Sequence, residues 1–557
     1  MSAPDRWAYA LEIQAHTGTE VVTINITNAP PLLSTCDALV VWDSTVYWDL
    51  AGIPAWVGGL IQAGNYEIAC FSGGKSFGKS SMGYGVITLN NNSGQFDYML
   101  GYAFDGRPAT LRRIDADLMV AATYPDDWTT IYTGTLGMPT PSISGFNQGT
   151  ITVPWRDRMV ELQVTLPLET FLGNNTLPLG LEGTANEANK IKPIVLGQVY
   201  EISPICVNTS KLIYAVSPPI MGAQDIKTDW DAIAAFDSVT DFFGSVINGI
   251  SGVTVYDSGL LLNQGANYTD EADMLGNAPA SGQCRVLPDR GYIRFGSLPA
   301  GVVTVSCTGY RVSPSRVGGI TRMLLNDYAK WTDSRINLTE LAAIDSACTI
   351  PVGAYLQSIT NIDTVLDELF ASVGACYYFD QYGTFRSFRV VEPSTMTADF
   401  GLSGMQIMAL SRENNDGIPA KLIRVKQQKC HTVQKTGLAA TVDAAHRAWI
   451  GNEYRENVAA NSATATKHLL ATTLEFNTAF SADAQTEADR RRDIYSVRRD
   501  FVKVQIVPAL FDYSSLRLGM CCNLDLDGRF GYTNKKMLLI GITVDLANNN
   551  ISLSFWG

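Results

Sequence analysis

The chain has 557 residues, which is more than one hydrophobic core can organise, so about three to five domains are expected. Hydrophobic residues make up 46%, which is a globular composition with enough apolar surface to form a core, and charged residues make up 17%, which is less than average. The net charge of −13 repels phosphate backbones and disfavours sequence-specific DNA binding. The start has no signal-peptide pattern, and no run reaches about 18 apolar residues, so we expect synthesis in the cytoplasm without a membrane span.

The first part of the chain, from Trp7 to about Val160, is a series of short β-type runs. Clusters of Gly, Asn, Pro and Asp separate runs such as VVTINIT, YEIACF, GVITLN and TIYTG. This spacing predicts antiparallel β-structure. A stretch rich in Pro and Gly follows, and it places a domain boundary near Leu172.

A second β-rich region extends to about Tyr310. Within it the turn residues of Pro288 to Gly291 separate CRVL from YIRFGSL, which predicts a β-hairpin. Similar turn signals recur at Asp380 to Gly383 and at Asp527-Gly528. We interpret these as local hairpins and not as a sequence repeat.

The middle of the chain changes to helical spacing. Two sets of apolar residues recur at intervals of three and four, namely Ile320, Met323, Leu324, Tyr328 and Trp331, then Ile362, Val365, Leu366, Leu369, Phe370 and Val373. Asn361 or Asp363 is suited to cap the second helix and Gly374 to end it. CYYFD and TFRSF then predict a hairpin, and we expect the helix to bury Leu366, Leu369 and Phe370 against Tyr378 and Phe385.

The last part of the chain combines a helix with β-runs. An Ala- and Arg-rich helix is predicted from about Ala482 to Ser496, and the closing runs alternate like a small barrel or sandwich. The predicted fold class is therefore mainly β with α+β parts, in a multidomain chain with tube-like antiparallel β-barrel domains and a helix-hairpin module. We place the domains at residues 1–171, 172–315, 316–400 and 401–557.

The sharpest motif match is Gly73 to Ser80, which fits the phosphate-binding pattern GxxxxGK[ST]. That chemistry requires a helix after Lys79, because helix N-terminal amides and the helix dipole hold the phosphates. The residues that follow, SMGYGVITL, contain two glycines and β-branched residues and predict a strand. We therefore expect Lys79 to have no role in phosphate binding.

A basic cluster, Arg490, Arg491, Arg492, Arg498 and Arg499, raises the hypothesis of a nucleic-acid contact. Glu487, Asp489, Asp493 and Asp500 nearly neutralise it, which favours a solvated or interface helix. If the cluster has a partner, an acidic protein surface suits it better than DNA.

No residue is assigned a catalytic, cofactor-binding or metal-binding role. The four histidines, His16, His431, His446 and His468, have no metal-binding i, i+4 spacing with one another. Carboxylate pairs such as Asp126 and Asp127 are common in turns. The ten cysteines have no CxxC spacing, which predicts reduced and mostly buried thiols.

Several stretches together resemble the baseplate hub, or tail tip, proteins of bacteriophages with long non-contractile tails. Four stretches of this chain resemble the N-terminal half of those proteins, namely GVITLNNNSGQFDYMLGYAFDGRPATLRR, PWRDRMVELQVTL, LPLGLEG and KPIVLGQVYEISP. The C-terminal half is resembled by LDELFASVGACYYFDQYGTFR and by the ending from LGMCCNLDLDG to SFWG. These stretches occur in the same order as in the family, and together the resemblance covers most of the chain.

The resemblance implies a structural virion protein and not an enzyme. It implies a homotrimeric ring around the tail channel, through which the genome passes without specific binding, in a tail tip assembled in the host cytoplasm. The implied partners are the distal tail protein, tail fibre or central tip proteins, and the tape measure protein. No peptidase or lysozyme signature is present, which weakens any role in cell-wall cleavage.

Some tail tip proteins carry an iron-sulfur cluster, for which Cys430, Cys521 and Cys522 would be available here. Cys521 and Cys522 are adjacent in an alternating run, so their side chains should point to opposite faces of a strand. This disfavours a cluster, and we expect no cofactor.

Two alternatives stay open. A receptor- or carbohydrate-binding tail protein is suggested by ten tryptophans and 23 tyrosines, with Trp42, Trp48 and Trp56 close enough to form one aromatic patch. Packing of the first β-domain or a subunit interface explains the same aromatic residues. A nucleotide-binding enzyme depends entirely on the motif at Gly73.

Overall fold

The computed structural model of the protein describes residues 7–28, 56–62, 64–70, 80–81, 83–115, 118, 124–144, 149–166, 169–175, 180–218, 249–309, 315–413, 418–511, 513–546 and 550–557. In this part of the chain the architecture is mainly β, with a barrel from each end of the sequence and a mixed α/β middle. The predicted fold class is confirmed.

The N-terminal barrel is one curled sheet whose strands alternate between inward and outward side chains. Tyr84–Asn90 is an example, because Ile87 and Leu89 are fully buried while Tyr84 and Val86 are exposed. In sheet order its strands are Trp56–Gly58, Val21–Thr27, Trp7–His16, Pro108–Asp115, Thr129–Leu136, Gly149–Arg156, Tyr84–Asn90 and Leu60–Gln62, with Thr140–Ile143 as a side strand on Gly149–Arg156.

The two edge strands of this sheet are consecutive in the chain. Trp56–Gly58 runs parallel to Val21–Thr27, and Leu60–Gln62 runs antiparallel to Tyr84–Asn90. Only Gly59 separates the two edge strands, so the sheet closes on itself.

Gly59 makes this closure sterically feasible. Its amide donates to the Thr27 carbonyl at 3.1 Å, and its carbonyl accepts from the Asn90 amide at 2.7 Å. Its φ is +154°, and a Cβ atom here would lie 2.5 Å from Phe96 Cε2. A side chain at this position would therefore clash with the barrel core.

The C-terminal barrel is closed in a similar way. In sheet order its strands are Phe400–Ser403, Cys521–Asp525, Lys535–Asp545, Asn550–Trp556, Phe501–Ile506 and Ile407–Glu413. Phe400–Ser403 is parallel to its neighbour and Ile407–Glu413 is antiparallel to its own. The turn Gly404–Gln406 joins these two edge strands, with a capping box between Ser403 and Gln406.

A strand from the N-terminal region extends the C-terminal barrel. Asn65–Cys70 pairs antiparallel with Lys535–Asp545 and also with Ser80–Ser81. One hydrophobic cluster consequently runs through both barrels, and it includes Leu11, Trp155, Val504 and Leu553.

Two five-stranded sheets form the second β-rich region. The first contains Leu260–Leu261, Ile250–Asp257, Val303–Gly309, Ile194–Ile202 and Gly353–Leu356, and the second contains Ile205–Asn208, Ile213–Ala215, Tyr292–Phe295, Gln283–Leu287 and Asn263–Gln264. The predicted hairpin is confirmed, since Gln283–Leu287 and Tyr292–Phe295 pair antiparallel across a turn that ends at Gly291 with φ +64°.

The predicted helix-hairpin module is confirmed. The helix Ile362–Val373, here called the central helix, is followed by Gly374 with φ +64° and by the hairpin Ala375–Phe379 and Phe385–Arg389. The earlier helical spacing corresponds to Val317–Met323, which continues as a π-helical turn through Tyr328. Additional helices in the described part are Glu271–Gly276 and Leu338–Ala347, and the short pair Thr165–Leu166 and Thr360–Asn361 precedes the central helix.

One predicted contact of the central helix is wrong. Phe370 contacts Tyr377 and Phe385, with ring centroids 5.0 and 6.3 Å apart, whereas Tyr378 packs in the cluster shared by the barrels. Tyr377 and Phe385 lie on one face of the hairpin, and adjacent strand residues point to opposite faces. Tyr378 therefore cannot face the helix together with Phe385.

We call the segment between the strands Ile407–Glu413 and Phe501–Ile506 the connector. In the chain it separates the two edge strands of the C-terminal barrel from the strands that follow in the same sheet. Its strands, in sheet order, are Arg455–Ala460, Ala420–Gln427 and Thr472–Asn477, and its helices are Ala444–Ile450, Ser462–Lys467 and Gln485–Tyr495. The last of these, here called the arginine helix, confirms the helix predicted at about residues 482–496.

Candidate functional site

Residues 73–79 of the phosphate-loop match lie outside the described part of the chain. The described residues that follow it are strands and not a helix. Ser80–Ser81 pairs with Ala69 and Cys70, and Tyr84–Asn90 pairs with Gly149–Arg156. The predicted strand is confirmed, and these residues supply no helix dipole for a phosphate.

The arginine helix carries a buried ion-pair centre. The Glu487 carboxylate accepts from Arg389 Nη2 at 2.7 Å, Arg490 Nε at 2.8 Å and Arg491 Nε at 2.7 Å. Burial alone would raise the pKa of Glu487, but Arg491, Arg490 and Arg389 outweigh it and lower that pKa to about 2. Arg490 and Arg491 also donate to carbonyls at the end of the central helix. The centre therefore holds the two helices together.

The other arginines of the cluster are mostly paired as well. Arg492 Nη1 lies 2.8 Å from Asp489, Arg492 Nη2 lies 2.8 Å from Asp493, and Arg499 Nη1 lies 2.7 Å from Glu392. These contacts leave little free positive charge for a nucleic acid.

Two details of the predicted solvated or interface helix are wrong. Arg491 is fully buried and Arg490 is mostly buried, because both serve the Glu487 centre. Asp500 pairs with Arg412 and Lys535 of the C-terminal barrel instead of neutralising the cluster. The charge count along the sequence was balanced, but only the fold determines which charges meet.

Asp157 is a buried carboxylate that no sequence motif singled out. It accepts from the Gly83 amide at 2.7 Å and from the Met159 amide at 2.9 Å. Burial raises its pKa to about 7, against the lowering effect of these two amides. It thus attaches the strand after the phosphate-loop match to the turn Arg158–Leu162. Its position just before that turn was an available capping signal.

Glu201 is a second buried carboxylate. It lies at a β-bulge with φ +51°, and it accepts from Thr304 Oγ1 at 2.5 Å and Ser306 Oγ at 3.4 Å. Burial raises its pKa, while the two hydroxyls and the nearby His446 lower it. The sequence offered no signal for it, because its hydroxyl partners lie about a hundred residues away.

The cysteines considered for a metal cluster are spread over two elements. Cys522 faces the core shared by the barrels, Cys521 lies on the opposite face near the Pro393 carbonyl, and Cys430 lies in the connector beside the Thr432 carbonyl. The nine cysteines of the described part are free thiols, and eight of them are buried. Among the described residues, no group of three His, Cys, Asp or Glu side chains has a metal-binding arrangement.

A hollow of about 490 Å³, including its open mouth, lies where the first five-stranded sheet meets the connector. Tyr200, Tyr355, His431 and Ser481 line it. Burial and the nearby Lys429 lower the pKa of His431 to about 4, so the imidazole is neutral near pH 7. Tyr200 Oη donates to the Ser481 carbonyl at 2.6 Å, which joins the two elements across the hollow.

The predicted aromatic patch cannot be located. Trp42 and Trp48 lie outside the described residues, and only the backbone of Trp56 is described, in the closing strand of the N-terminal barrel. Throughout the described ranges, no helix combines the length and apolar character needed to cross a membrane.

No protein-family model and no curated protein sequence matches the chain. Among solved structures, the chain is similar to the 43 kDa tail protein of prophage MuSo2 from Shewanella oneidensis, with a TM-score of 0.36 and 9% identity over 98% of this chain and 95% of that one. It is also similar to a tail protein from Neisseria meningitidis MC58, with a TM-score of 0.36 and 8% identity over 99% and 96% of the two chains. For prophage tail protein gp18 from Listeria monocytogenes EGD-e, the TM-score is 0.28 and the identity 6%, over 88% and 94%. At these TM-scores the likenesses do not establish a shared function.

Proposed function

We propose that the chain is a structural component of a bacteriophage-type tail tip, a hub protein that forms a ring of three copies around the DNA channel. The observation that carries the proposal is the pair of β-barrels that are closed in the same manner and share one hydrophobic cluster. A rigid double barrel is suited to form a segment of a tube wall. The resemblance of the sequence motifs to tail hub proteins supports the same role.

The closed sheets also support assembly into a defined ring. An open sheet edge would pair with other chains without limit, and both barrels avoid this by joining their edge strands. Contacts between copies must then be made by side-chain surfaces, which specify a closed ring better than exposed edges do.

The charge balance supports passage of DNA without retention. With a net charge of −13, the chain has no excess of basic residues to hold phosphates, and the arginine cluster is largely consumed by internal ion pairs. We propose a lumen that is neutral to acidic, and no catalytic role for the chain.

The proposed neighbours are the distal tail protein, tail fibre or central tip proteins, and the tape measure protein, in a virion tail tip assembled in the host cytoplasm. Residues 1–171, 172–315, 316–400 and 401–557 remain our proposed domain division. Because both barrels share one hydrophobic cluster, we propose that the first and the last of these domains move together in the ring.

The test is electron microscopy of intact particles decorated with an antibody to this chain, with particles that lack the chain as the control. We expect label at the tail tip only, three copies in the measured mass of purified tips, and little binding of the purified protein to DNA. Label elsewhere on the particle, one copy per tip, or tight DNA binding that weakens steeply with salt would contradict the proposal.

A further inference from the structure

One end of the connector exposes apolar and basic side chains together. We call this surface the basic patch, and its members are Ile418, Lys421, Lys467, Leu469, Leu470, Val497 and Arg498. The exposed fractions of Leu469 and Leu470 are 91% and 73%, unusually high for adjacent leucines. Within the described ranges, none of its three basic side chains forms an ion pair.

Backbone and side-chain contacts bring the basic patch together. Ala420 begins the strand Ala420–Gln427 and pairs with Thr472, which begins the parallel strand Thr472–Asn477. The segment just before Ala420 therefore lies beside the loop that carries Leu469 and Leu470. The Asn461 amide donates to the Lys421 carbonyl at 2.8 Å. Thr464 Oγ1 donates to the Ser496 carbonyl at 2.9 Å, next to Val497 and Arg498.

One end of the N-terminal barrel has the complementary composition. We call it the acidic patch, and its members are Glu20, Val21, Asp97, Tyr98, Leu100 and Asp105. The bridge between His16 and Ala103 joins the turn that carries Glu20 to the segment 97–105. Val21, Tyr98 and Leu100 are 51%, 40% and 42% exposed. The three carboxylates are exposed and form no ion pair in the described part of the chain.

The charges of the two regions are opposite in sign. Residues 1–171 contain 16 acidic and 8 basic residues, a net charge of −8, whereas residues 401–557 contain 15 acidic and 19 basic residues, a net charge of +4. Opposite charges around apolar centres are the arrangement that steers and orients protein association. Because the two patches belong to different regions of one chain, a contact between them can join copies head to tail. Repeated head-to-tail contacts form a ring when the rotation between copies closes.

We propose that the basic patch of one copy docks on the acidic patch of the next copy. This inference rests on the proposed ring, for which it names the contact between subunits. Leu469 and Leu470 supply the apolar centre against Val21, Tyr98 and Leu100. Lys421, Lys467 and Arg498 then face Glu20, Asp97 and Asp105 at the rim. In the proposed ring each copy uses both patches, so the contact repeats three times.

Charge reversal in the full-length protein tests the pairing, with self-association measured by sedimentation velocity. The basic-side variant combines Lys421→Glu, Lys467→Glu and Arg498→Glu, and the acidic-side variant combines Glu20→Lys, Asp97→Lys and Asp105→Lys. We expect each variant to weaken self-association by about tenfold or more, because like charges then face each other. A variant that carries both sets of changes in one chain should associate to within about threefold of the wild type, because all three contacts of the ring are then complementary again, with the signs exchanged.

Two controls separate charge from folding. Lys435→Glu with Arg447→Glu and Lys503→Glu makes the same charge change at exposed bases outside the patch, and it should leave self-association unchanged. Leu469→Ser with Leu470→Ser should weaken self-association with little dependence on salt, since it removes apolar area and no charge. Thermal unfolding of each variant checks that its fold is intact.

The outcomes distinguish this contact from the ring itself. If both charge-reversed variants associate like the wild type while tail tips still contain three copies, the ring stands and the proposed contact is wrong. If wild-type tips contain one copy, the proposed function fails. If the wild type binds phosphatidylserine vesicles through the basic patch and its self-association is insensitive to both reversals, the patch serves an anionic lipid surface and the proposed contact is overturned.

Discussion

Both barrels close by joining two edge strands that are consecutive in the chain, but the residues that join these strands differ. In the N-terminal barrel one glycine, Gly59, passes so close to Phe96 that no side chain fits. In the C-terminal barrel a three-residue turn with its own capping box joins the two edge strands. A Cβ atom on Gly404 in that turn would meet no other atom of the described residues within 4 Å. Closure is therefore a property of the sheet topology, and a sequence repeat is not needed to produce it.

The barrel cores differ as well. The N-terminal barrel packs large rings, with Trp155 and Tyr132 centroids 4.3 Å apart and Phe96 and Phe104 fully buried. The strands of the C-terminal barrel contribute mainly aliphatic side chains, such as Val504. The strand Asn65–Cys70 connects the two barrels, because it follows the first barrel in the chain and extends the sheet of the second.

The largest expected effect comes from breaking that connection. Ile68 is buried in the shared cluster, so Ile68→Ala should lower the free energy of unfolding by about 2 to 5 kcal/mol and loosen both barrels. Hydrogen exchange of the strands in each barrel measures this. Glu67→Ala, an exposed change in the same strand, should stay within about 0.5 kcal/mol of the wild type. Loss of protection in one barrel alone would mean that the cluster is not shared.

The central helix provides a reference outside the barrels. Leu369 is fully buried in a separate cluster, so Leu369→Ala should cost about 2 to 5 kcal/mol in the middle of the molecule. Exchange rates in the central helix should rise more than those in either barrel. Unchanged thermal unfolding would show that the helix does not pack as described.

The arginine helix connects the central helix to the C-terminal barrel. Glu487→Gln removes the charge that three arginines surround, and we expect a loss of about 3 kcal/mol at neutral pH. The folded pKa of Glu487 is lowered from 4.5 to about 2, so its stabilisation is present above pH 4.5 and is lost as the pH falls towards 2.

Denaturant titrations over this pH range should therefore give a wild-type curve that converges on the Glu487→Gln curve in acid. Asp489→Asn, which alters an exposed pair on the same helix, is the matched control and should change stability by about 0.5 kcal/mol or less. Parallel pH curves for the wild type and Glu487→Gln would contradict the ion-pair assignment.

The two closures themselves form a matched pair of smaller effects. Gly59→Ala should cost about 1 to 3 kcal/mol, because its Cβ would meet the Phe96 ring at an unfavourable φ. Gly404→Ala in the corresponding turn should stay within about 0.5 kcal/mol. Chemical denaturation of both variants compares them directly. Equal costs would imply that the two barrels close under the same steric constraint.

The smallest expected effect is at Lys79, in the segment between the two strands that extend the C-terminal barrel. Lys79→Ala should change stability by less than about 0.5 kcal/mol, and the wild type should bind no ATP, because the residues after it continue as strands. Isothermal titration with ATP is the measurement. Saturable micromolar binding that the substitution abolishes would restore the nucleotide-binding hypothesis.

Local patterns in the sequence were sufficient for the hairpins named above and for three of the helices, but they did not predict the helices Leu338–Ala347 and Ala444–Ile450. The turn ending at Gly291, the central helix with Gly374 after it, and the strand after Lys79 all follow from backbone preferences and from apolar spacing within about a dozen residues. The orientation of Tyr378 could also have been predicted from the sequence, because adjacent residues of a strand point to opposite faces and Tyr377 faces the helix. These features depend on interactions between near neighbours in the chain.

The candidate site residues divide in the same way. The balance of acids and bases around the arginine helix was visible in the sequence, but burial of Arg491 and the partners of Asp500 were not. Asp157 had a local capping signal, whereas Glu201 acquired its hydroxyl partners only through pairing of distant strands. Burial and ion pairing depend on which segments meet, and composition does not encode that.

By itself the sequence determined the mainly β class, the helix-hairpin module and the excess of acid over base. Only the tertiary structure decided that Cys70 lies beside the Ile540 carbonyl, with Sγ 3.4 Å from it across 470 residues, and that each barrel closes through consecutive strand segments. The same holds for the basic and acidic patches, whose members come from separate segments. A hairpin or helix satisfies its hydrogen bonds locally, whereas a sheet edge has several possible partners, and the packing of the shared core selects among them.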